Sequence, residues 1–422
     1  MMTTTMNSSG VKYTQDILNR DIINREIWWS DHQNQPEPRE SREYFIRLIN
    51  RWKHLLELSG VVKGNLVTIS LLSVDTMHVS AIIACAEMGL KIILLDSPAT
   101  EESLPYTKLA LHGPSDFYLH FSHEGDGVYG GLHGEMMRRY GGQSIDAVKL
   151  PEMSTEDTTF NYEISPDDPL LMSSTSGTTK PSRPVYFSHR EVMTISRRNV
   201  DIFKFDENSK VVHSRNLHHA SAMLTSLIPS LMVANRHLTL PISHDTNLDV
   251  NGANESSWQM IYNDEFTHVM IANEKSLRLF LDKFDKPFKK PLNINMCGFT
   301  LNETFVDLAR EYNVKFHSHY GSIDTAIPLL INFVDEDSVV KENGLGVLAD
   351  DFYQFDGKEI RCELWDEPRY IEDTLYLIDG HFFIEPRELP EVPDDVDLEP
   401  FFQDTKINFE QLRGYLNERN KS

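Results

Sequence analysis

Apolar residues along the chain fall into alternating helical and strand-length patterns. From Ser41 the residues Phe45, Leu48, Ile49, Trp52, Leu55 and Leu56 recur three or four apart, which gives a helix one apolar face. Lys63-Gly64 then turns the chain into 66–72, an apolar and β-branched run of strand length. Residues 76–88 read as a helix stopped by Gly89, and 91–95 as a second buried strand. The pattern resumes with a strand at 267–272, a helix at 276–284 and a strand at 292–296. Phe305, Leu308, Ala309 and Tyr312 mark one further helix face, and 314–316 the next strand. Helices and strands alternating through short turns predict an α/β fold, with layered α/β/α subdomains and mostly parallel sheets.

Three stretches stand outside that alternation. Residues 1–37 are polar apart from Trp28-Trp29 and end near Pro36 and Pro38, so they read as an N-terminal arm packing onto a body at 38–387. Residues 113–145 are rich in Gly and His and show no period, so no element is assigned there. After Arg387 the run LPEVPDDVDLEP is acidic and Pro-rich, a linker by composition, with one short helix expected at 409–416; together they make a tail over 388–422.

Composition narrows the function classes. Lys and Arg number 40 against 64 Asp and Glu, a formal net charge of −24 over 422 residues. A polyanion would be repelled over most of such a surface, which argues against a nucleic-acid backbone as partner. A nucleotide is not excluded, because one phosphate group needs only a local nest of N–H groups and a few cations. The three cysteines (Cys85, Cys297 and Cys362) lie far apart, which fits neither a disulfide scaffold nor a thiolate zinc site. MMTTTMNSSG lacks the order of a signal peptide, and the most apolar stretch, 80–95, is interrupted by Glu87 and Lys91. The expectation is a cytoplasmic protein with no membrane partner.

Chemistry concentrates in LLMSSTSGTTKPSRPVYFSHR, residues 170–190. Hydroxyl residues surround Gly177 directly after a strand-like apolar run. A glycine among small hydroxyl residues lets successive N–H groups curl around a phosphate while the hydroxyls donate to its oxygens. Arg183 can add a charge-assisted bond to the same group. Ser188-His-Arg-Glu191 is a capping-box pattern that should open a helix. The loop is not a Walker A motif, since no Gly-Lys-Ser/Thr follows Gly177. GDGVYG at 125–130 has the GxGxxG spacing but follows no strand that the pattern predicts, neither GxSxG nor HExxH occurs, and His317 with His319, or His218 with His219, lack a carboxylate-paired zinc spacing.

The 170–190 segment closely resembles the phosphate-loop signature of the adenylate-forming superfamily, which includes acyl-CoA synthetases, peptide-synthetase adenylation domains and luciferases. Thr175, Ser176, Gly177, Thr178 and Thr179 match that signature without a gap, and Arg183 falls at its Lys position. Lys180 stands where Gly is usual. Further resemblances follow in the family's order: the helix–strand–helix–strand of 43–95, Asn216-Leu-His-His219, Cys297-Gly-Phe-Thr-Leu301 and Tyr320-Gly-Ser-Ile-Asp324. The last departs from Tyr-Gly-x-Thr-Glu twice, with Ile323 for Thr and Asp324 for Glu.

The resemblance implies the N-terminal body of such an enzyme, with ATP and Mg²⁺ as cofactors. The 175–179 loop and Arg183 would hold phosphate, Asp324 the Mg²⁺, and Gly298, Tyr320, Gly321 and Ser322 the nucleotide. His219 would face the acid or the α-phosphate. Asp373, with Asp366 as competitor, would hold the ribose, and Arg387 would sit at the hinge. After Arg387 come Lys406 and Lys421 but nothing like the family's Ser-Gly-Lys, so a partner protein supplying the lid is one expectation. The implied reaction activates a carboxylic acid as an acyl-adenylate with release of pyrophosphate. Coenzyme A, a carrier protein or another group would be the acceptor. A degenerate relative that binds a nucleotide or a protein without turnover is the alternative.

Overall fold

The computed structural model describes residues 16–23, 28–31, 42–71, 75–96, 115–120, 142–156, 162–174, 184–215, 217, 220–242, 248–297, 300–321, 328–341, 344–352, 354–355, 359–362, 364–365, 369–370, 375–379, 381–384, 402–403 and 406–407. Helix α1 (Arg42–Leu58) buries its whole apolar stripe, and Trp52 locks it to α2 (Thr76–Glu87) by donating from Nε1 to the Met77 carbonyl at 3.0 Å. The Asp75 side chain caps α2 by accepting from the His78 N–H at 2.9 Å. At the far end Gly89, at φ +66°, lets the chain leave the helix.

Strands β2 (Leu66–Leu71) and β3 (Lys91–Asp96) pair in parallel at the centre of a six-stranded sheet. Its order is β5-β4-β2-β3-β6-β7, completed by β4 (Phe117–His120), β5 (Gln143–Asp146), β6 (Pro169–Ser174) and β7 (Pro184–Ser188). Only the β6–β7 pair in it is antiparallel. Strands β4 and β5 occupy the 113–145 stretch that shows no period, because four-residue strands are too short to reveal alternation.

Helix α3 (His189–Ile202) opens on the expected capping box, with both the Ser188 and Glu191 bonds formed. It leads into the larger sheet through β8 (Lys210–Ser214), α4 (220–233, with a π-helical turn at Met223–Leu227) and β9 (Arg236–Thr239). Next come α5 (Glu255–Met260), β10 (His268–Ile271), α6 (Glu274–Leu281), β11 (Leu292–Cys297), α7 (Glu303–Tyr312) and β12 (Val314–Tyr320). Antiparallel strands β13 (Leu330–Val334), β14 (Gly344–Leu348), β18 (Leu375–Ile378) and β19 (His381–Ile384) extend the sheet on one side.

On the opposite edge lies β1 (Trp28–Asp31), parallel to β9, so the polar arm supplies a strand of the larger sheet rather than a covering alone. The full order of the ten strands is β1-β9-β8-β10-β11-β12-β13-β14-β19-β18. Short strands β15 (Gln354–Phe355), β16 (Glu359–Arg361) and β17 (Arg369–Tyr370) form a small separate sheet, and β20 (Phe402–Gln403) pairs with β21 (Lys406–Ile407). The helix expected at 409–416 lies outside the described residues.

Alternation along the larger sheet's strands separates two cores. Val212, Val269, Ile271, Ile294, Met296 and Phe316 pack with α5, α6 and α7. The other face, carrying Trp29, Val211, Met270 and Ile331, joins one apolar cluster with α1, α2, α3, α4 and the six-stranded sheet. One continuous core therefore fixes the two sheets to each other through α3 and α4.

Candidate active site

Parallel strands β8, β10, β11 and β12 lie side by side, with His213, Met270, Asn295 and His317 forming one row across them. Two residues further on, Cys297 sits opposite His319. The segments that follow β8, β11 and β12 therefore leave from one edge of the sheet. The crevice outside the carboxyl ends of parallel strands is where α/β sheets receive ligands, because loops converge there on a rigid frame. Neighbouring strands lie about 4.8 Å apart, so the ends of β11 and β12 lie side by side.

Of the site residues expected from sequence, the structure describes Tyr320 and Gly321. Tyr320 ends β12, half-buried against Leu329 and Leu330, and its carbonyl accepts from the Leu329 N–H at 2.9 Å. Gly321 follows directly. Thr175, Ser176, Gly177, Thr178, Thr179, Arg183, His219, Gly298, Ser322, Asp324, Asp373 and Arg387 lie outside the described residues.

The frame on either side of 175–183 is nevertheless plain. Ser174 stands opposite Pro184, so 175–183 joins the two strands of an antiparallel pair. The base of that pair is braced from outside. Lys63 reaches Asp168 at 2.9 Å, and Arg190 donates from Nε to Asp167 at 2.8 Å. Both carboxyls are held below the usual Asp range, chiefly by the hydrogen bonds from Arg190 and Lys63 respectively.

The sheet face toward α3 and α4 is polar to an unusual degree, with His213, His237, His268, Asn295, His317 and His319 all buried. Burial is the main cause holding His213 and His317 down to about 3 and His268 to about 4, with His237 and His319 also well below the ordinary value. All five are thus neutral near pH 7. His213 and His237 are 3.0 Å apart through ring nitrogens, His213 meets the Ser226 hydroxyl at 3.2 Å, and Trp29 stacks on both rings.

Two arginines enter the same layer. Arg198 of α3 pairs with Asp350 and donates from Nη2 to the Pro328 carbonyl at 2.6 Å, fixing the chain just after 322–327. Arg215, the residue after β8, turns toward α4 and donates to the hydroxyls of Thr225 at 3.1 Å and Ser221 at 3.3 Å. Among the described residues there is no group of three or more His, Cys, Asp or Glu able to hold a metal. Arg215 did not stand out in the sequence. It precedes Asn216-Leu-His-His219, but an arginine after a strand is no signal until its burial is seen.

Six parallel strands continued by an antiparallel flank, coupled to a second sheet with a hydroxyl-rich hairpin loop, make the fold of the N-terminal body of adenylate-forming acyl-CoA synthetases. Among solved structures, the chain is similar to O-succinylbenzoate coenzyme A synthetase from Bacillus subtilis in complex with ATP and magnesium ion. The TM-score is 0.69 at 16% identity, over 86% of this chain and 78% of that one. It is equally similar to the N-terminal domain of FACL13 from Mycobacterium tuberculosis, at TM-score 0.69 and 14% identity, over 87% of this chain and 97% of that one. ATP-bound MatB from Rhodopseudomonas palustris follows at TM-score 0.63 and 13% identity, over 87% and 78% of the two chains. By sequence, no protein-family model and no curated protein matches the chain.

Proposed function

We propose that the protein activates a carboxylic acid with ATP, forming an acyl-adenylate and releasing pyrophosphate. One observation supports this reading: Cys297 and Tyr320, which open two of the motif-like segments, end neighbouring parallel strands, and 175–183 connects β6 to β7, in a fold shared with ATP-bound synthetases.

A carboxylate is a poor electrophile because it has no leaving group at neutral pH. Its oxygen attacks the α-phosphorus of ATP, the bond to the β-phosphate oxygen breaks, and the carboxyl carbon then carries AMP as a good leaving group. The chain's task is positioning and charge neutralisation. In this reading Thr175 to Thr179 and Arg183 hold the β- and γ-phosphates, Gly298, Tyr320, Gly321 and Ser322 line the nucleotide, and Asp373 takes the ribose. His219 faces the acid or the α-phosphate, and Arg387 is the hinge to whatever closes the site. Asp324 offers Mg²⁺ one hard carboxylate oxygen, a donor that fits an ion otherwise satisfied by water and phosphate oxygens. When bound, the ion neutralises phosphate charge. Coenzyme A or a carrier protein is the proposed acceptor of the acyl group.

A nucleotide-binding module without turnover is the second reading, favoured by Ile323 and Lys180 at positions where the motif carries Thr and Gly. Pyrophosphate release, followed with Mg·ATP across a panel of carboxylic acids, separates the two. Acid-dependent release, lowered about a hundredfold or more in Asp324→Asn, is the expected result. ATP binding without release for any acid would leave the second reading standing.

A further inference from the structure

We propose that Arg215 and His319 form a subsite for a second negative group, so that the acid activated is a dicarboxylate or a similarly anionic acyl chain. The inference rests on the activation reading above, because it concerns the part of the acid remote from the reacting carboxyl.

Two independent observations carry it. Arg215 is 6% exposed, and its guanidinium donates only to the neutral hydroxyls of Ser221 and Thr225; among the described residues no carboxylate pairs with it. A buried cation without a counter-charge is strongly unfavourable, and an arginine fork is the side chain best matched to a carboxylate. His319 is 1% exposed, and neither ring nitrogen has a hydrogen-bond partner among the described residues. Buried polar atoms are nearly always paired, so two orphans on one ring mark a place where a polar ligand is missing its match.

Position joins the two. Both side chains face α3 and α4, at the carboxyl edge, one residue beyond β8 and one residue before Tyr320. The Arg215 charge, after burial itself, helps hold the His319 imidazole neutral. Phe203 closes the inner side, its ring edge-on to His319 at 5.4 Å between centroids. A carboxylate seated there would accept from the free Arg215 N–H groups and from one His319 N–H. Its charge would offset the cation that the fold has buried.

Binding of α,ω-dicarboxylates of three to eight carbons, each against the monocarboxylate of the same carbon number, tests this by calorimetry on the full chain. At least one dicarboxylate should bind about tenfold to a hundredfold more tightly than its partner, the range of one or two charge-assisted hydrogen bonds. Arg215→Met should erase that ratio and Arg215→Lys restore part of it, with melting curves checking that each variant is folded. Dicarboxylates no tighter than monocarboxylates, or a ratio that survives in folded Arg215→Met, would overturn the subsite. Pyrophosphate release on the same samples keeps the two proposals apart. Turnover with no charge preference removes the subsite and keeps activation, whereas charge preference without ATP binding does the reverse.

Discussion

A histidine inside a sheet is tolerated only while it is neutral, and this chain buries five on one sheet face. In the unfolded chain each titrates near 6.5, whereas in the fold His268 is held near 4, His213 and His317 near 3, and His237 and His319 also well below 6.5. Below pH 6.5 the unfolded chain therefore binds more protons, and stability falls as pH is lowered from 6.5 toward those folded values. The slope approaches about 1.4 kcal/mol per pH unit for each histidine. Between pH 7.5 and 5 His213, His268 and His317 should together remove roughly 5 kcal/mol, His237 and His319 act in the same direction, and the melting temperature should fall accordingly. Carboxylates such as Glu87 and Asp335, held below their ordinary values, act only at lower pH, so the window above 5 belongs to the histidines. A melting temperature unchanged across that window would show that these rings are not held neutral.

Glu87 makes the opposite case at the same scale. Burial pushes its carboxyl up, but Arg20 and Lys53 more than offset it: Arg20 donates from Nε and Nη2 at 2.7 and 2.6 Å, and Lys53 lies at 3.2 Å. Glu87→Gln keeps the shape and strands two nearly buried cations, so it should cost about 3–5 kcal/mol in denaturant unfolding. A loss under 1 kcal/mol would mean that the triad is solvated.

At the scale of elements, β14 joins the β18–β19 hairpin to β13, and through β13 to the parallel half of the sheet. Its bulge depends on Gly346, whose φ is +98° and whose missing Cβ would lie 2.0 Å from the Ile331 carbonyl oxygen. Gly346→Ala cannot be absorbed by a side-chain rotation, since the obstruction is backbone, and should cost roughly 3 kcal/mol or more. Loosening should be greatest in β13, β14 and β19, which hydrogen exchange can read.

Elements whose burial matches their apolarity were legible in the sequence: α1 through its Phe45-to-Leu56 stripe, β2 and β3 through β-branched runs, and α3 through its Ser188–Glu191 box. Several of the misses in the larger sheet share one cause. Strand β12 runs four residues past its apolar part because His317, Ser318 and His319 are buried there as polar residues. For the same reason His213 and His237 hid β8 and β9. Strand β1 was hidden by the polar chain around Trp28-Trp29, whose role needs β9 some two hundred residues away. Binary patterning sees only faces that alternate, and this sheet buries one apolar face and one that mixes apolar residues with histidines.

For the whole molecule, the candidate site divides along the same line. The hydroxyl-rich 175–179 segment stands out by residue type, because phosphate chemistry favours small, flexible and hydroxyl-bearing residues, while Tyr320-Gly321 stands out only through the family resemblance. Arg215 and His319 could not be read in this way, since what singles them out among the described residues is burial, of the one without a carboxylate and of the other without a hydrogen-bond partner, a property of the assembled sheet and α4. The frame brings the ends of β11 and β12 to one edge, and one apolar core ties that sheet to the β6–β7 pair.

The central claim is that this body holds ATP on the 175–183 loop. Calorimetric titration with Mg·ATP, run beside Arg183→Ala, tests it without any assumption about the acid. Saturable binding that weakens tenfold or more in the variant is the expected result, the loss of one charge-assisted contact to phosphate. No binding at millimolar Mg·ATP, or equal affinity in Arg183→Ala, would contradict it.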